Sequence, residues 1–188
     1  MRYSFLVFAS LSLLLSSLLF SQTKTGVPHI DTAFKYLGTV EKTGNNDGTN
    51  VKKFLNYVGL PEGYAWCAAY VSYCIGKANV ESPKIRSAAA RAFKTKNAIK
   101  AGNVLLGTAK ASKGDLVVFE KINSMQGHIG ISLSSWDKGR GTTIEGNTSS
   151  NTKGNQREGD GVYIKNRKIV LTDYLGIKWF VPVTYKKK

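Results

Sequence analysis

Gly63-Tyr64-Ala65-Trp66-Cys67-Ala68-Ala69-Tyr70-Val71-Ser72-Tyr73-Cys74-Ile75-Gly76-Lys77 is the stretch on which the fold turns. From Ala65 to about Lys77 it reads as a buried helix, with Trp66, Ala69, Tyr70 and Tyr73 at three- and four-residue spacing. Pro61 to Gly63 marks the break before it. Upstream, Ile30, Ala33, Phe34 and Leu37 predict a helix over 29–38 that Gly38 stops. Val51, Phe54, Leu55 and Val58 predict another, ending at Gly59, after the turn cluster Gly44-Asn45-Asn46-Asp47-Gly48. Residues 87–94 can form a short Ala-rich helix.

Downstream the period changes from helical to alternating. Asp115 to Glu120 is a strand-like apolar run, and Ile129, Ile131 and Leu133 alternate on one face of a strand over 128–133. Residues 142–147, 161–165 and 177–184 are three further candidate strands. Helices first and an antiparallel sheet after predict an α+β domain, with N-terminal helices packed on a C-terminal antiparallel β-sheet. Trp136–Gly141 and Thr148–Gly161 are polar, Gly-rich loops of the kind on which function often sits.

The chain has 188 residues, enough for one domain, and 42% hydrophobic residues exclude global disorder. Residues 1–21 read as a signal peptide: Arg2 precedes an apolar run from Tyr3 to Phe20, with cleavage after Ser21. A retained membrane anchor is the rival reading, disfavoured by the dilution with Ser4, Ser10, Ser12, Ser16 and Ser17. Residues 22–28 then form a short linker, 29–185 the domain, and Lys186, Lys187 and Lys188 a basic tail. Losing residues 1–21 removes one Arg and no acid, which lowers the formal charge from +15 to +14. Such a charge implies a polyanionic partner, whether nucleic acid, anionic lipid or an acidic cell-wall polymer, and export disfavours intracellular nucleic acid most. A chain whose lysines serve only to keep it dispersed is the plainer alternative. A structural zinc site would need both Cys and both His, or a carboxylate substitute, so no metal is expected, and no cofactor either.

Cys67 and Cys74 lie seven residues apart on one predicted helix, about 10 Å along its axis. That is too far for a disulfide, so both thiols are expected free. Cys74 suits the core. Cys67 sits in the first turn of the helix, where the macrodipole favours a nucleophilic thiolate. A base is then needed. His29 opens the first helix and suits a surface or capping role, whereas His128 opens the alternating strand beside Gly130, facing away from Ile129 and Ile131. In Thr143-Ile144-Glu145-Gly146-Asn147, alternation puts Glu145 and Asn147 on one face, and either could hold the imidazole in the required tautomer.

Four motifs in this order resemble the CHAP domain, the cysteine- and histidine-dependent amidohydrolases/peptidases of the papain-like superfamily. Tyr64–Ser72 resembles its nucleophile helix, Lys113–Phe119 its first strand, Gly127–Ile131 its histidine strand and Ile144–Ser149 its acidic/amide strand. Asn45–Val51 and Leu55–Gly59 resemble its lead-in helix, so that the resemblance covers roughly residues 29–184. It implies a papain-like fold and hydrolysis of an amide bond in peptidoglycan; the signal peptide adds the expectation of export, and a monomer is expected. The bond would be that of an N-acetylmuramoyl-L-alanine amidase or a peptide endopeptidase. Cys67 would attack the carbonyl, His128 would act as base and then acid, Glu145 would orient His128, and Asn147 would contribute to the site. The backbone N–H of Cys67 would supply half of an oxyanion hole. Tyr64 and Trp66 are the further oxyanion or substrate candidates, the papain-type upstream Gln being absent. Asp47 gives the Asn45–Gly48 loop a single carboxylate, too few for calcium.

Two other functions compete. A non-catalytic wall-binding module would use the basic surface alone but has no need of a thiol. An exported binder of nucleic acid or membrane surfaces leaves the Cys–His pairing unexplained.

Overall fold

The computed structural model describes residues 24–150 and 159–185. The expected signal peptide, the first residues of the linker and the basic tail lie outside these, as does the middle of the loop expected at 148–161.

Three helices come first: α1 (Pro28–Phe34), α2 (Thr49–Tyr57) and α3 (Cys67–Lys77). A short strand β1 (Val80–Ser82), a 3-10 turn (Ala90–Phe93), β2 (Ile99–Lys100) and α4 (Ala101–Leu105) follow. The sheet-forming half contains β3 (Leu116–Lys121), β4 (Gly127–Ser132), β5 (Arg140–Thr148), β6 (Gly161–Lys168), β7 (Leu175–Val181) and β8 (Thr184–Tyr185). Six of the strands form one antiparallel sheet in the order β2-β7-β3-β4-β5-β6, while β1 pairs with β8 apart from it. The chain is α+β, with helices first and an antiparallel sheet after, as its periodicities predict. Among the described residues no helix is long and apolar enough to cross a membrane.

The sheet separates two apolar layers. Leu116, Val118, Ile129, Ile131, Ile144 and Val162 lie in one layer with α1, α2 and α3. Val117, Phe119, Ile177 and Phe180 lie in the other, with α4 and Trp136. Strand alternation explains the division, since neighbouring side chains leave a pleated strand on opposite faces. Helix α3 is buried almost all round, from Cys67 through Ile75 except Tyr73, which is why its polar atoms need internal partners. Tyr70 Oη donates to the Ala33 carbonyl at 2.9 Å, and Ser72 Oγ donates to the Ser87 carbonyl at 2.9 Å. Around α3, Phe54 stacks on Trp66 and meets Tyr36, Tyr70 and Tyr73 edge-on. Each such contact contributes about 0.5–1.5 kcal/mol beyond its area.

Several local expectations change. Helix α1 ends a turn before Gly38, leaving Leu37 exposed, because the chain turns to bond Gly38 N–H to the Val162 carbonyl. The Ala-rich segment is a single 3-10 turn, and β1, β2 and α4 carry too few residues to show a period. His29 is fully buried rather than at the surface. Its Nε2–H donates to the Gly114 carbonyl at 2.7 Å and its Nδ1 accepts from Tyr185 Oη, so the neutral ring ties α1 to the sheet half and to β8. Burial lowers its pKa to about 4.

Candidate active site

Cys67 is the first residue of α3, so its N–H has no carbonyl partner one turn back within the helix. Trp66 precedes it in a non-helical conformation, and two side-chain bonds fix the turn. The Trp66 backbone N–H donates to Asn147 Oδ1 at 3.1 Å, and Trp66 Nε1 donates to Glu41 Oε1 at 2.7 Å. The Cys67 residue is only 6% exposed, so a substrate carbonyl would have to enter a narrow opening to reach it.

His128 stands near the start of β4, paired with Phe119 of β3 and edge-on to its ring at 5.4 Å. Its side chain interacts with the Cys67 thiol on one side and with the Glu145 carboxylate on the other. The second interaction is a hydrogen bond joining Nε2 to Glu145 Oε2 at 2.8 Å. An ionised carboxylate only accepts, so Nε2 carries the hydrogen and Nδ1 is left to the thiol. Burial by itself would lower the His128 pKa, but the Glu145 charge and the interactions with Cys67 and Glu145 outweigh it and raise the value to about 9. Thus His128 can hold a proton taken from Cys67 and release it later.

Glu145 is fully buried on β5, opposite Gly130. Burial alone would favour its neutral form. Instead its pKa is held well below the usual carboxylate range by hydrogen bonds from Arg167 and by His128. Oε1 accepts from Thr143 Oγ1 at 2.5 Å and from Arg167 Nε at 2.7 Å, while Oε2 accepts from Arg167 Nη2 and His128. Four donors occupy the roughly four lone-pair sites that a carboxylate offers.

Of the residues expected at the site, the structure brings together Cys67, His128 and Glu145. Asn147 is placed elsewhere. The β5–β6 register shifts between Glu145 and Thr148, and Asn147 has φ 51°, so alternation fails there and its side chain turns towards the start of α3. While its Oδ1 accepts from Trp66, its Nδ2 donates to Asn46 Oδ1 at 3.1 Å and to the Gly159 carbonyl at 2.7 Å. Trp66 is also corrected: its side chain is fully buried against Phe54 and its indole N–H is engaged by Glu41, so it cannot touch substrate. Tyr64 is 53% exposed, three residues before Cys67. Asp47 spends both oxygens on Thr43, at 2.8 and 2.9 Å.

Arg167 and Lys165 went unread in the sequence. Both stand on β6, beyond or at the end of the strand expected over 161–165, and cations in a polar strand ordinarily read as solvated. Alternation from Tyr163 through Lys165 to Arg167 was the available signal. Lys165 is buried, with Nζ donating to the Ser149 carbonyl at 2.9 Å. Next to the strand of His128, a depression of about 530 Å³ at the β3–β4 turn is lined by Arg91, Lys121, Met125 and Lys178, among others. None of Cys67, His128 and Glu145 lines it.

Residues 59–147 match the family model of the CHAP domain. The matched span contains α3 through nearly all of β5, and therefore Cys67, His128 and Glu145, but stops short of Arg167. No curated protein matches the chain.

Proposed function

We propose, with residues 59–147 taken as a CHAP domain, that this protein is an exported peptidoglycan hydrolase that cleaves an amide bond by thiol catalysis. CHAP domains are a family of cysteine- and histidine-dependent amidohydrolases and peptidases typical of proteins that act on peptidoglycan. The single observation that carries the finer reading is the run of interacting groups from Cys67 through His128 to a buried, ionised Glu145, with His128 Nε2 bonded to Glu145 Oε2 at 2.8 Å.

In the proposed reaction His128 Nδ1 takes the Cys67 proton, and the thiolate attacks the amide carbonyl carbon. The carbonyl oxygen becomes an oxyanion facing the Cys67 N–H. Collapse breaks the C–N bond, the departing amine takes the proton from His128, and a thioester remains on Cys67. Water then loses a proton to Nδ1 and attacks the thioester, releasing a carboxylate and restoring the thiol. Glu145 accepts the Nε2–H bond throughout and supports the imidazolium between the two transfers. A formal charge of +14 after loss of residues 1–21 supports residence on an acidic wall polymer.

Digestion of purified sacculi, with mass spectrometry of the released muropeptides, tests the reading. Products bearing a new free carboxyl and amine at one type of amide bond are expected from the wild type and not from folded Cys67→Ala. Binding to sacculi without any new termini would favour the wall-binding module.

A further inference from the structure

Arg167 lies outside the span matched to the family, yet it makes more bonds to Glu145 than any other side chain. Its Nε donates to Oε1 at 2.7 Å and its Nη2 to Oε2, the oxygen that also receives His128. The guanidinium carbon sits 5.1 Å from the centre of the Phe119 ring, and that same ring meets His128 edge-on. The fork is therefore held by Phe119 beneath it and by Glu145 in front of it. Only 11% of the Arg167 side chain is exposed, and none of the Glu145 side chain is.

We infer that Arg167 is a positioning residue, which locks the Glu145 carboxylate onto His128 Nε2 and so keeps Nδ1 directed at Cys67. The inference rests on the proposed roles of Cys67 and His128 and adds to them a residue from the neighbouring strand.

A buried carboxylate beside an imidazole has two ways to lower its energy: share the imidazole's proton, or turn towards other donors. The first would leave a neutral acid that no longer supports an imidazolium. The second would release the ring. A bidentate guanidinium blocks both, because its permanent charge keeps the carboxylate ionised and its planar fork fixes the carboxylate plane. Thr143 fills the remaining site on Oε1, so rotation of the carboxylate would break bonds on both oxygens. A lysine could supply the charge but not the fork.

The test reads Cys67 directly and needs no substrate, so it stands apart from whether peptidoglycan is cleaved. Iodoacetamide alkylation of Cys67 in the purified full chain is followed by mass spectrometry across acid to alkaline pH. In Arg167→Met the midpoint of the rate profile should move up by about one pH unit or more, as Glu145 gains a proton and stops supporting His128. Arg167→Gln, which keeps a donor within reach, should shift the same way and serves if the Met variant does not fold. Arg167→Lys, which keeps the charge but not the fork, should shift the midpoint by less than Arg167→Met. In a Glu145→Gln background, Arg167→Met or Arg167→Gln should add no further shift, because the group through which Arg167 acts is gone. An unmoved midpoint in folded Arg167→Met or Arg167→Gln overturns the proposal. So does an equal shift with and without Glu145, which would mark Arg167 as acting through the general field or packing.

Discussion

Gly130 faces Glu145 so closely across the β4–β5 pair that a Cβ on Gly130 would lie 2.6 Å from Glu145 Cγ. It would also lie 3.1 Å from the Ile144 carbonyl oxygen, which is backbone and cannot step aside. The missing side chain is thus the space in which the carboxylate reaches His128. Gly130→Ala should fold with a cost of about 1–3 kcal/mol and lose about 100-fold in turnover, as expected for a displaced supporting group. Sacculus hydrolysis together with thermal unfolding checks it; a folded variant with wild-type turnover would show that Glu145 tolerates displacement.

The two polar residues of β5 should separate by what they perturb. Glu145→Gln removes the charge that holds His128 up to about 9, so the imidazole should titrate at lower pH and turnover should fall. Asn147→Ala leaves the Trp66 N–H without its acceptor and should cost about 1–3 kcal/mol of stability. It should hardly move the imidazole. NMR titration of His128 in both variants decides, and a shift in Asn147→Ala alone would reverse the roles.

Stability should pass through a maximum near neutrality, because the two histidines pull in opposite directions. His29 titrates at about 4 when folded against 6.5 unfolded, so the unfolded chain takes up the proton first on acidification. Its contribution is present above pH 6.5 and is lost as pH falls towards 4, about 3 kcal/mol in all. His128 is raised to about 9, so its contribution is complete below 6.5 and is lost as pH rises towards 9. Below pH 4.5, Glu145 adds a further loss, because its folded carboxylate resists protonation. Denaturant titration at several pH values should show the maximum. His29→Gln should flatten its acid side, and an acid slope unchanged in that variant would count against the buried neutral ring.

The two thiols should behave differently. A thiol reagent should modify Cys67 first in the native chain, because Cys74 is fully enclosed and burial pushes its pKa up. Cys67→Ala should abolish turnover while folding normally. Cys74→Ser should retain turnover and lose about 1–3 kcal/mol, since it puts a hydroxyl in an apolar layer. Peptide mapping and unfolding curves read both effects, and lysis by folded Cys67→Ala would sink the thiol mechanism.

What the sequence determined by itself is what short-range period carries. Helical spacing around Trp66 and Tyr70, and alternation from Ile129 to Ile131, are local consequences of backbone geometry, so the order of helices and strands was legible. The same rules put a thiol at a helix start and His128 beside Gly130, away from the apolar row. Tertiary structure alone decided which groups those side chains meet. Alternation assigned Asn147 to the face of Glu145, but it holds only while the pleat is regular. A positive φ and a register shift turn Asn147 to the Trp66 N–H instead. His29 and Arg167 are polar residues with nothing local to mark them as buried. Their surroundings come from Gly114, Tyr185 and Glu145, far along the chain. Spacing along a chain sets the face a side chain takes, whereas the partner on that face depends on strand register and on how the helices close over the sheet.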